Sequence, residues 1–385
     1  MKKLHPYFIS FLVMFFVVIM ISDATAVTIT IDDDTKGADY NSIQDAVENA
    51  TDGDTILVFP GNYIENVYVN KELIISSLSG NQVDTIVKAA NSEDDVFKVV
   101  SDNVTISGFS ITGAGIDQYG DDRAGIYFES VNNSIIRENN VYSNGYGILL
   151  LDSYNNTLAD NSAYMSCIGG IFLWNSSYNR LHNNLINTSN HEGIHLYESS
   201  NNNELNNNTV NYTYVGFGID LTLCDNNTLT SNIVSNNELG FLLTGSNNNS
   251  FINNIANSNK WNGVDLQGSN SNNILYNNTA NFNSHNGIFL INSNSNRLNF
   301  NNASNNAEYG INLNNSSTNN ILIGNIADSN GIKNIHVADP VNNTVNTGLP
   351  QENDSAQKLL FKSFILAVIT IITAALITGR RVREY

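Results

Sequence analysis

The chain has 385 residues, only 14% of them charged, and a net charge of −19. Scarce, mostly acidic charge excludes nucleic-acid binding, which needs a basic footprint. The asparagine-rich composition would suit a disordered tract, but apolar residues recur at fixed phases along the chain, and disorder does not produce that.

In chain order, Lys2 and Lys3 precede the apolar run Phe8–Ile21, and Ala24-Thr25-Ala26 offers a small-residue cleavage site. Residues 1–26 therefore read as a signal peptide, or as an anchor if left uncut. Tyr40–Ala50 has helical apolar spacing at Ile43, Ala46, Val47 and Ala50, which predicts an N-terminal capping helix of the kind solenoids need at an open end. Thr55–Phe59, Val67–Val69, Leu73–Ser76, Thr85–Val87, Val96–Val99 and Val104–Ile106 read as strands, with Pro60-Gly61 as a turn. A surplus of residues follows at Gly113–Arg123. It holds Asp117, Asp121 and Asp122, a carboxylate cluster of the type that binds Ca²⁺, although an acidic surface loop has the same composition.

From Gly125 a tetrapeptide of the form Gly-Ile-x-Leu returns at Gly147, Gly170, Gly193, Gly218, Gly240, Gly263, Gly287, Gly310 and, with Asn for Gly, at Asn334. The intervals are 22 to 25 residues. Positions two and four are apolar while position three varies, which is the period-two alternation of a strand with one buried face. The leading glycine suits a tight turn into that strand. Eleven or twelve residues on comes a second apolar point, such as Leu158, Leu181 or Leu205, in a second short strand. Three residues later there is always an asparagine: Asn139, Asn161, Asn184, Asn208, Asn232, Asn254, Asn278, Asn301 and Asn325. Like strands meeting at this period must be parallel, with the rest of each coil as the return path. The predicted fold is all-β: a right-handed parallel β-helix over residues 27–345, filled by stacked Ile and Leu, with the asparagines as a structural ladder.

Cys167 and Cys224 lie at different phases, two to three coils apart, beyond disulfide reach. Both are expected as free thiols, with Cys167 at a buried phase. After a polar linker at 346–358, residues 359–379 form an apolar run broken only by Lys362, which reads as a transmembrane helix. The basic tail 380–385 would then be cytoplasmic and the solenoid extracytoplasmic. Sixteen Asn-x-Ser/Thr sequons run from Asn49 to Asn353, so the reading is of a surface glycoprotein.

Three stretches carry a family resemblance: Ser42-Ile43-Gln44-Asp45-Ala46-Val47, Gly53-Asp54-Thr55-Ile56-Leu57-Val58 and Pro60-Gly61-Asn62-Tyr63-Ile64-Glu65-Asn66-Val67. They resemble the entry region of pectin-lyase-like β-helix proteins. Asn103-Val104-Thr105-Ile106-Ser107-Gly108-Phe109 and the Asn-Asn-x-Leu-x-x-Asn coils resemble the NosD-type branch, often grouped with carbohydrate-binding and sugar-hydrolysing domains. The resemblance spans roughly residues 38–345. It implies the fold and leaves activity open, because one solenoid hosts many functions.

The outward positions of the Gly-Ile-x-Leu strands carry the candidate site. Leu149, Phe172, Trp174, His195, Tyr197 and Asp220 fall on successive rungs, and exposed aromatic patches usually mark binding. A row of rings beside His195 and Asp220 suits a polysaccharide, and a protein-contact surface or a face covered by a loop has the same signature. Asp220 and Asp265, two coils apart, have roughly the 10 Å backbone separation from which an inverting glycosidase pair could close. His191 and His195 are candidates for copper or zinc, and pectate-lyase-like enzymes imply calcium. No cofactor follows directly from these residues. The sequence points to a membrane-anchored extracytoplasmic surface protein that binds glycan or an envelope partner and leans away from catalysis. The alternatives are a polysaccharide lyase or glycoside hydrolase, and a NosD-like accessory protein for copper-site assembly.

Overall fold

Strict inward–outward alternation decides the architecture, because a strand with one apolar face must stack that face against another. In the computed structural model, which describes residues 26–34, 37–115, 123–314 and 316–346, every strand pairs in parallel with its counterpart one coil on. The result is a right-handed parallel β-solenoid of about 13 turns. Each full coil has three strands. The first joins a 14-stranded sheet (for example Thr157–Ala159), the second an 8-stranded sheet (Ser162–Tyr164) and the third a 12-stranded sheet (Gly169–Trp174). The third sheet consists of the Gly-Ile-x-Leu strands. Its inner column runs in unbroken register through Ile148, Ile171, Ile194, Ile219, Phe241 and Val264. With Leu158, Leu181 and Leu205 of the first sheet, these fully buried side chains form one continuous core.

The second sheet was not visible in the repeat pattern as read above. Its core residue sits two places after the repeating asparagine: Val141, Ala163, Ile186, Val210 and Val234, all buried. At the next four coils the residue is Ala256, Ala280, Ala303 and Ala327. There the sheet thins to single bridges, from Ile255 to Thr279 and from Thr279 to Asn302. A methyl group fills less of the interior than Val or Ile, and the backbone draws into a tighter corner. Gly61–Ile64, whose first residue belongs to the expected Pro60-Gly61 turn, is also a strand of this sheet.

A helix, Ile43–Asn49, occupies the predicted stretch, with the Ser42 hydroxyl accepting from the Asp45 amide at its start. It follows the strand Thr28–Ile31, which pairs directly with Thr55–Val58. In this first turn the helix thus stands where later coils carry second- and third-sheet strands. Ile43, Ala46 and Val47 are its buried face.

The repeat glycines have a different role from the one first assigned. They are not in the left-handed region; they face inward at a crowded corner. A Cβ on Gly287 would lie 2.7 Å from the carbonyl oxygens of Ala280 and Gly310 and from Nδ2 of Asn306. The left-handed positions are the corner residues Asp152, Asn155, Asp160 and Met165 and their equivalents on later coils. Asparagine tolerates that conformation best among residues with a side chain, which accounts for much of the composition.

Among the described residues no helix is long and apolar enough to cross a membrane. The expected signal peptide over 1–26 (all but its last residue), the expected linker beyond residue 346, the expected transmembrane run 359–379 and the tail 380–385 lie outside those residues, as do Asp117, Asp121 and Asp122. Ser110–Thr112 and Ala124–Glu129, which flank that insertion, keep their register with neighbouring coils.

Candidate functional site: the outer face of the third sheet

Two kinds of polar side chain are buried here, and they differ in one respect. The first kind is satisfied with a single exception, Asn227 Nδ2. Asn139, Asn161, Asn184, Asn208, Asn232, Asn254, Asn278, Asn301 and Asn325 form one column inside the corner between the first and second sheets. At Asn208, Nδ2 donates to the Leu181 carbonyl at 2.9 Å and to Oδ1 of Asn232 at 3.0 Å, while its own Oδ1 accepts from the Asn184 backbone amide at 3.0 Å. In a second column, Asn156, Asn179, Asn203, Asn227, Asn249 and Asn273, one corner earlier, each backbone N–H up to Asn249 likewise donates to the next Oδ1. A third column includes Asn237, Asn259, Asn283 and Asn306. The sequence reading found one of these three columns. The signal for the others was an asparagine two residues before the first-sheet apolar residue, and one five residues after the first column.

The second kind lies on the outer face of the third sheet. There the register aligns Leu149, Phe172, His195, Asp220, Leu242, Asp265, Phe289 and Asn312 in one column. Leu151, Trp174, Tyr197, Thr222 and Thr244 align in the next. Trp174 and Tyr197 are therefore one rung apart. Their ring centroids are 5.6 Å apart at 75°, an edge-to-face pair. Phe172 sits beneath them, only 9% exposed, 4.7 Å from His195 and 5.3 Å from Tyr146. The rings thus form a cluster around a buried Phe172, with Trp174 as its exposed member, where the sequence had suggested a flat row. Trp174 Nε1 donates to Glu198 at 3.2 Å, which fixes the indole.

His195 Nε2 is 3.3 Å from Asp220 Oδ2, but the approach is off-line and Nε2 has no hydrogen-bond partner. Burial lowers the His195 pKa to about 4. Burial raises that of Asp220 to about 7, against the Thr222 hydroxyl that donates to it. Between those values a neutral imidazole faces a protonated carboxyl. Leu242 separates Asp220 from Asp265 on the column, and all three are buried. Burial raises the Asp265 pKa to about 6. Asp265 Oδ2 accepts from Asn262 at 2.9 Å, and Asn262 in turn accepts from Asn286 at 2.8 Å. Asp265 Oδ1 and Asn312 Oδ1 are buried with no partner. Asn262, Asn286 and Asn312 were missed by the sequence reading, which did not examine the position preceding each glycine or carry the outward column past Phe289.

The histidines do not gather. His182 lies on the first sheet, His191 is exposed at a corner and His195 is on the third sheet. Among the described residues no three His, Cys, Asp or Glu side chains converge to hold a metal. Both cysteines are free, but Cys167 is exposed where a buried phase was expected. It follows a left-handed corner residue, Met165, and leaves the inward alternation there. Cys224 is buried and its thiol is pushed up to about 12 by burial.

Residues 47–221 match the family described as periplasmic copper-binding protein (NosD), and residues 213–347 match the right-handed beta helix region. A cell surface glycoprotein of Methanothermus fervidus is 36% identical over 104 residues, 26% of this chain and 16% of that protein. The chain thus matches only a small part of that relative. The A-module of a mannuronan C-5 epimerase of Azotobacter vinelandii superposes with a TM-score of 0.69 at 18% identity, covering 80% of this chain and 94% of the module. The Dettilon tailspike protein gives 0.62 at 16% identity, over 77% of this chain and 64% of its own. At these identities the two structures speak to the fold alone. Coil geometry and family matches together fit a NosD-type parallel β-helix protein of the pectin-lyase-like kind.

Proposed function

We propose that this is an extracytoplasmic cell-surface protein, held to the membrane by residues 359–379, that binds a polysaccharide along the outer face of its third sheet. The observation that carries the reading is the contrast between the two kinds of buried polar group. Along the asparagine columns Asn227 Nδ2 is the one amide nitrogen without a partner, whereas on a single outer column three groups, His195 Nε2, Asp265 Oδ1 and Asn312 Oδ1, have none. A buried polar atom without a partner costs about 1–3 kcal/mol, and saccharide hydroxyls are donors and acceptors that can meet these atoms. Trp174 and Tyr197 beside them supply an apolar surface for the C–H face of a sugar. The glycoprotein relative and the family name support the location. The helix Ile43–Asn49 serves, in this reading, as the cap of the solenoid's open end.

The test is affinity for a polysaccharide panel with the unaltered chain and with Trp174→Ala and Tyr197→Ala. Each substitution is expected to weaken binding roughly tenfold, the effect of losing about 1.4 kcal/mol at an aromatic anchor. Unchanged binding by both variants removes this face from the argument.

A second reading is favoured by one observation, the 3.3 Å contact between His195 and Asp220, whose pKa values have moved in opposite directions toward readiness for proton exchange. In that reading the same groove supports acid–base chemistry on the bound sugar. New reducing ends or unsaturated uronates, abolished by His195→Ala and by Asp220→Asn, would establish it over simple binding.

A further inference from the structure

The sequons remain unabsorbed by the binding face, and the fold sorts them. In the first two asparagine columns the residue two places on is always a core residue: Leu158 after Asn156, Leu229 after Asn227, Val210 after Asn208. Strand alternation forces this, since an inward residue is followed two places later by another inward one. No asparagine of these columns can therefore head an Asn-x-Ser/Thr triplet. A sequon that overlaps one of these columns has its acceptor one residue earlier, on the left-handed corner, with its hydroxyl partner facing outward.

Three asparagines fit fully. Asn155, Asn226 and Asn248 are exposed, lie at φ of 58°, 61° and 56°, and stand on one edge where the third sheet turns into the first. Their outward hydroxyls are Thr157, Thr228 and Ser250, the last two paired in register. Other sequon amides are engaged: Asn103 donates to Glu72, Asn207 to Asn183 and Asn277 to Asn253. Beside Asn155 lies a shallow cleft of about 150 Å³ lined by Tyr178, Arg180 and Glu204, where a first sugar could rest on the exposed tyrosine ring.

We propose that the chain is N-glycosylated at Asn155 and at one of Asn226 and Asn248, never both. The sugar comes from a lipid-phosphate-linked oligosaccharide. Asn Nδ2 bonds to the sugar C1, the C1–O bond to the lipid phosphate breaks, the phosphate departs with the electron pair, and the amide proton passes to a base of the transferase. Asn226 and Asn248 sit on adjacent rungs, the Asn226 backbone N–H donating to the Asn247 carbonyl at 3.0 Å. Rungs are about 4.8 Å apart, so a sugar on one amide lies over the other. The proposal rests on the extracytoplasmic reading.

Glycopeptide mass spectrometry of the full chain, taken from the cells that make it, tests this together with protease shaving of intact cells. Sugar is expected on Asn155, and on Asn226 or Asn248 in separate molecules. Thr228→Val, which keeps the β-branched shape but removes one acceptor, should move that occupancy to Asn248. A peptide carrying both sugars, sugar on Asn156, Asn227 or Asn249, or bare Asn155 in a chain that shaving removes from the cell surface would each overturn the proposal. A bare chain protected from shaving would overturn the surface reading along with it.

Discussion

Asn208→Ala is the sharpest probe of what holds the coils together. The substitution strips the buried Asn184 N–H of its partner, Asn208 Oδ1 at 3.0 Å, and takes one donor, Nδ2 at 2.9 Å, from the Leu181 carbonyl. The Asn232 Oδ1 loses one of its donors as well. At about 1–3 kcal/mol for the orphaned backbone N–H, the expected loss is about 1–3 kcal/mol. The control is Asn206→Ala, two residues earlier at the end of the first-sheet strand and exposed, where a surface change should stay within about 0.5 kcal/mol. Guanidinium unfolding followed by circular dichroism gives the loss, and hydrogen exchange localises it. The Asn184 amide should lose protection in Asn208→Ala and keep it in Asn206→Ala. If the two variants unfold alike, the amide column is ornament and the stacked apolar core alone sets stability.

Gly287→Ala should destabilise by about 1–3 kcal/mol, the usual overpacking range, because its Cβ meets two carbonyl oxygens at 2.7 Å; an unchanged melting temperature would refute the close-packing role. Asp220→Asn tests the buried carboxyl. Its raised folded pKa means the native state holds a proton that the unfolded chain releases near pH 4, so the unaltered protein loses stability as pH rises from about 4 to 7. The variant should match it at pH 3 and exceed it above pH 7, by at most about 4 kcal/mol at 1.36 kcal/mol per pKa unit. A difference that does not change with pH would refute this. Cys167 should react with a maleimide in the native chain and Cys224 only after unfolding, as mass spectrometry of labelled peptides can show.

Period and phase made the solenoid legible. The alternation in Gly-Ile-x-Leu is a local property, and its recurrence every 22 to 25 residues admits only stacked parallel strands. The same phases placed Trp174 and Tyr197 on adjacent rungs and put His195 beside Asp220 before any coordinates. What the sequence could not determine were quantities that depend on how the coils close. Three strands per coil required knowing that Val210 and Ala256 point into the same core. The glycine's role depended on a carbonyl oxygen from the next coil. Whether Phe172 is a platform or a foundation depended on the rings that lean over it. The division has one physical cause. Hydrophobic phase is written along the chain, residue by residue, whereas burial, orphaned polar atoms and shifted protonation arise between residues a full coil apart, which become neighbours only when the ladder is built.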